Sequence, residues 1–176
     1  DFNSYSDILD DYDLLEDKDF DIVIFTLSQF EAYAEPGSEE EWDRYDYAHV
    51  KALIDKSKGQ IQRIIDEKGR IASHKLEEFI TQEIDAYINS VFRSIKCYRD
   101  EQDMGAHLEA ALSIQHLMNL LFALHGGRIR PYYKYWEWEL DHHPLEELPI
   151  SSREFKQDVK RILSKGDLRT QQKIFQ

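Results

Sequence analysis

Residues 20–27, FDIVIFTL, decide how this chain is read. Ile22, Val23, Ile24 and Thr26 are β-branched, Phe20, Phe25 and Leu27 are large and apolar, and Asp19 and Asp21 flank the opening. An apolar run without alternation predicts a strand buried on both faces. A buried strand needs neighbours. Residues 48–54, AHVKALI, alternate well enough to supply a second one, closed by a turn at residues 55–59. Between them, residues 28–34 read as a short helix ended by Pro36-Gly37-Ser38, and Gln60 to Lys68 as another closed by Gly69.

From Ser73 onward the apolar period becomes that of helices. Leu76, Ile80, Ile84, Tyr87, Val91, Ile95 and Tyr98 follow at spacings of three and four, which predicts an amphipathic helix of about 27 residues with Ser73 as its N-cap. Residues 104–125 predict a second helix, apolar nearly all round and therefore central. Pro131 opens a short aromatic helix, Pro144 and Pro149 bound a linker, and two more helices start near Ser151 and Asp167. The expected fold class is α+β: a small mixed sheet in residues 1–70, then an all-α bundle in residues 71–176.

The charge is uneven. Of the 35 Asp and Glu in the chain, the first 47 residues carry 16, against 2 of the 22 Lys and Arg. The net charge of −13 therefore lies at the front. Clustered carboxylates beside a strand either solvate a surface or hold a hard cation, and residue types alone leave both readings open. The acidic balance disfavours a large nucleic-acid partner. No apolar run reaches the length of a membrane span, and no secretory leader pattern is present. One cysteine, Cys97, excludes an intrachain disulfide, and a reduced, cytoplasmic setting is expected.

Two further constellations stand out. Asp85, Asn89, Arg93 and Lys96 share one face of the long helix, which suits either an anion or plain solvent. Arg128, Arg130 and Lys134 sit among Tyr132, Tyr133, Tyr135, Trp136 and Trp138. Aromatic faces there stack bases or sugars while the cations take phosphate, or the rings form a small core with the cations outside. The seven histidines show no metal-site spacing, and no glycine-rich phosphate loop exists.

Three stretches then carry a family likeness: DFNSYSDI at residues 1–8, LEDKDFDIVIFTLSQFE at residues 15–31, and a third that begins with DRYDYAHV and LID between Asp43 and Asp55 and continues through INSVFRSIKCYRD, LEAALSIQHLMNLLFALHG and RIRPYYKYWEWEL. Together they resemble the bacterial nucleotidyltransferases of the polymerase-β-like superfamily, the group that includes aminoglycoside nucleotidyltransferases. The pattern departs from that family at the front. No Gly-Ser pair precedes Asp7, Leu9 stands where a second Asp belongs, and 13 residues separate Asp7 from Asp21.

The resemblance implies transfer of a nucleoside monophosphate from a nucleoside triphosphate to a small-molecule hydroxyl, with Mg2+. Asp7 and Asp21 would bind the metal, and Asp21 would also take the acceptor's proton. Asn89, Arg93, Lys96, Tyr133 and Lys134 would contact nucleotide or acceptor from the helical side. The departures imply either an abridged front of a longer enzyme or a non-catalytic, antitoxin-type relative that binds a partner; a homodimer is compatible with both.

Overall fold

The structure, a computed structural model, describes residues 23–175. Asp7, Asp21 and the start of the FDIVIFTL run lie outside the described residues. Among the described residues seven α-helices follow in order: α1 (Leu27–Ala32), α2 (Gln60–Lys68), α3 (Ser73–Arg99), α4 (Asp103–Leu124), α5 (Trp136–His142), α6 (Ser152–Lys165) and α7 (Leu168–Phe175). Short 3-10 helices occupy Glu41–Tyr47 and Tyr133–Tyr135.

The expected mixed sheet is not seen among the described residues. Among the described residues no strand forms, and the sole ladder fragment is an antiparallel bridge between Arg70 and Arg128. The fold class is therefore helical rather than α+β. Two local causes are visible. Thr26 makes a capping box, its hydroxyl accepting from the Gln29 amide at 3.3 Å while the Gln29 side chain accepts from the Thr26 amide at 2.9 Å. That box commits Leu27 onward to helix and cuts the apolar run short. The second expected strand has the alternation but no partner. Leu53 is 100% exposed and Ile54 76%, and a lone extended segment satisfies neither backbone nor side chains.

The helical half follows its period closely. Ser73, expected as the N-cap of α3, is instead its first residue; Ala72 takes the cap position without a side-chain bond. Ser151 does cap α6, accepting from the Glu154 amide at 3.2 Å. Helices α3 and α4 form an antiparallel pair. Small residues at the seam, Ser90 and Ser94 on α3 with Ala106 and Ala110 on α4, are buried and let the backbones come close. The Ser94 hydroxyl donates to the Ala106 carbonyl at 2.9 Å. The core sits above this pair: Tyr87 and Val91 from α3, Ile114, Leu117, Met118 and Phe122 from α4, and Phe155, Val159 and Ile162 from α6. No helix among the described residues is long and apolar enough to cross a membrane.

Candidate functional site

The segment before α3 is held together by buried cations that bind its carbonyl oxygens. The C-terminal carbonyls of a helix are orphans, and long cationic side chains satisfy them. Arg44 donates to the Lys68 carbonyl at 3.1 Å and to the Arg70 carbonyl at 2.6 Å, closing the end of α2. Lys68 in turn donates to the Glu31 carbonyl at 2.9 Å and to the Tyr33 carbonyl, closing α1. Burial lowers the Arg44 guanidinium from its ordinary value, with Glu41 and Glu35 pulling it back up. Gly69 permits the tight fit, since a Cβ there would meet the Tyr47 carbonyl oxygen at 2.7 Å. The Ile71 amide donates to the Gly127 carbonyl at 2.8 Å, which ties the start of α3 to the end of α4.

This docking leaves a cleft of about 1170 Å³ between residues 31–75 and the α3–α4 pair. Acids reach it from the segment before α3 (Glu31, Glu35, Glu41, Asp66, Glu67), and cations include Arg70, Lys75 and Arg130. Arg130 is the distinctive one. Its guanidinium lies 5.0 Å from the Trp42 ring and 5.9 Å from the Trp136 ring. Among the described residues no carboxylate lies within ion-pair distance of it, and burial lowers it from its ordinary value while Glu83 raises it. Glu83 is itself occupied, at 2.8 Å from His116 Nδ1 and 2.9 Å from Asn119 Nδ2. A cation held by two indole faces and offered no counter-ion is a ready anion site.

Behind the cleft lies a second polar cluster, around Glu139 of α5. Glu139 is 1% exposed. It accepts from the Tyr45 hydroxyl at 2.6 Å and from Arg128 Nη2 at 2.5 Å, with His49 Nε2 at 3.0 Å. Arg128 also donates to the His143 carbonyl at 2.8 Å and lies over the Phe122 ring. Burial alone would raise the Glu139 carboxyl; the bonds from Tyr45, Arg128 and His49 outweigh it and hold the group below its ordinary value. Burial, then the bond to Glu139, raises the Tyr45 hydroxyl.

His49, Glu139 and His143 offer three ligand atoms within 4.8 Å of one another, the one such metal-compatible group among the described residues. It does not fit magnesium, which takes oxygen donors. Nor does it suit a transition metal as arranged. The His49 and His143 rings stack at 4.0 Å with an 11° tilt, so an ion in the plane of one imidazole lies outside the plane of the other. The cluster is a structural clamp.

The residues singled out from the sequence stand elsewhere. Asn89, Arg93 and Lys96 are exposed on α3, where the Asn89 amide donates to Asp85 at 3.1 Å and the Lys96 ammonium lies 4.6 Å from the Phe92 ring. Tyr133 and Lys134 are exposed in the 3-10 turn before α5, Tyr133 bonded to the Tyr132 hydroxyl at 2.5 Å. None of these five lines the cleft. Sequence reasoning did single out the Arg128–Trp138 stretch, and that stretch supplies Arg128, Arg130 and Trp136. It missed Glu139, Tyr45 and His49. One signal was available: Trp136, Glu139, Leu140 and His143 fall at spacings of three and four, so Glu139 sits on the inward stripe of its helix. Comparison with protein-family models, with characterised proteins and with solved structures finds no match to this chain.

Proposed function

We propose that the cleft binds a nucleoside triphosphate through its phosphates, and that the protein transfers a nucleoside monophosphate from it to a small hydroxyl-bearing acceptor. The observation that carries this reading is Arg130, held between Trp42 and Trp136 in the cleft wall without a carboxylate partner among the described residues. Arg70 and Lys75 add exposed positive charge in the same cleft. The volume exceeds the roughly 300–1,000 Å³ of ordinary small-ligand sites, which leaves room for nucleotide and acceptor together. The acids contributed by residues 31–67 suit an acceptor rich in hydroxyl or amino groups. Magnesium belongs to this reading through Asp7 and Asp21, the carboxylates the family resemblance assigns; the described residues contribute the anion grip.

Titration of the protein with ATP and Mg2+ tests the reading. At 100-fold excess over its dissociation constant, a bound nucleotide stabilises by about 2.7 kcal/mol against urea. Arg130→Gln removes a charge-assisted contact and weakens binding roughly 10-fold or more. Asp21→Ala abolishes incorporation of labelled nucleotide while leaving Arg130-dependent binding in place. Failure of every nucleoside triphosphate to bind overturns the assignment. Binding without transfer favours the non-catalytic, partner-binding alternative.

A further inference from the structure

Helix α3 runs for 27 residues, yet among the described residues its one extensive neighbour is α4. On the side away from the seam it presents Ile84, Ile88 and Phe92, exposed by 43%, 42% and 55%. These lie four residues apart and form one stripe. A contiguous stripe of large apolar side chains half open to water is a candidate contact surface. We propose that α3 is a self-association surface, and that its occupant is α3 of a second copy, packed antiparallel about a two-fold axis at Ile88.

The sequence of the stripe is self-complementary about that point. In an antiparallel pair centred on residue 88, Ile88 meets Ile88 of the second copy and Ile84 meets its Phe92. The flanks match as well. Asp85 comes level, within about half a turn, with Arg93 of the second copy, and Glu78 with its Lys96. A two-fold axis repeats each pairing, as an isologous interface requires. All four of these charged residues are exposed. Among the described residues none of the four is in an ion pair within its own chain. The pattern is directional: a parallel pairing in register would set Asp85 against Asp85 and Arg93 against Arg93, which repels.

Ile84, Ile88 and Phe92 form the apolar centre of the contact, and a standard specific interface of about 800 Å² per partner would also take in the aliphatic stems of the charged residues that flank them.

Sedimentation velocity or light scattering of the whole chain across a concentration series reads this directly. The wild type should weigh twice the monomer. Ile88→Glu should give a monomer. Asp85→Arg should also dissociate the pair by setting arginine against arginine, and Asp85→Arg with Arg93→Asp should restore the dimer. Far-UV circular dichroism of each variant should match the wild type, since all three positions are on the surface. A monomeric wild type at 100-fold the usual micromolar range, a dimer that survives Ile88→Glu, or a double reversal that stays monomeric would each overturn the proposal.

Discussion

Replacing Glu139 by alanine tests whether the cluster behind the cleft clamps the two halves together. The cost can be assembled from its partners. The Tyr45 hydroxyl, now 2.6 Å from Glu139, would be left buried and unsatisfied, at about 1–3 kcal/mol. Arg128 would lose its counter-charge at 2.5 Å, but its side chain keeps 23% exposure and the His143 carbonyl bond. Its share is therefore about 1–2 kcal/mol, below the 3–5 typical of a fully buried pair. His49, more exposed, adds little. The sum is about 3 kcal/mol. With a urea slope near 2 kcal/mol/M, the unfolding midpoint should fall by about 1.5 M. Tryptophan fluorescence suits the assay, because Trp136 and Trp138 share the helix of Glu139. A second substitution sharpens it. Tyr45→Phe should cost about 1 kcal/mol in the wild type, and nothing or less in the Glu139→Ala background, where it removes an orphaned hydroxyl. Equal costs in both backgrounds, or a loss under 1 kcal/mol for Glu139→Ala, would refute the clamp.

Other outcomes follow from the same structure. Because Glu139 is held below its ordinary value, its stabilisation is complete above the ordinary glutamate range and is lost as pH falls through the lower folded value; urea midpoints from pH 6 to pH 3 should drop more steeply for the wild type than for Glu139→Gln. Gly69→Ala places a methyl 2.7 Å from the Tyr47 carbonyl oxygen and should destabilise by about 1–3 kcal/mol, read as a lower thermal midpoint.

Much of the helical half was legible from its period. The bounds of α2, Gln60–Lys68 closed by Gly69, are those the sequence suggests, because glycine and the apolar spacing act locally. The length of α3 follows as well, but α4 is buried on one side only: Met104, Leu108 and Leu112 are 86%, 61% and 43% exposed. The expected second strand did not form for a reason that no local window contains, while the described end of the first is turned to helix by the local Thr26–Gln29 box. Whether AHVKALI becomes a strand depends on a neighbour to pair with, and among the described residues it has none. The cluster at Glu139 was hidden in a different way. Trp-Glu-Trp-Glu reads as an amphipathic surface, and of the groups that make a buried carboxylate tolerable only Arg128 is near in sequence, while Tyr45 lies 94 residues away and His49 90. The cleft was half visible: the cation-and-aromatic stretch that supplies Arg130 and Trp136 was marked, but Trp42, which completes the grip, sits in a stretch that reads as an acidic loop.

The distance along the chain between Tyr45 and Glu139 also orders the folding reaction. The α3–α4 hairpin closes through a short turn and gains its contacts locally, so it forms early. The Tyr45–Glu139 bond closes a loop of about 90 residues, and the entropy of that closure must be met before any hydrogen bond is gained. The bundle must therefore exist, with α5 already seated, before the segment carrying Tyr45 and His49 has anything to dock on. On this ground the cleft is expected to assemble after the bundle, and hydrogen exchange should show the segment carrying Tyr45 opening before α3 and α4.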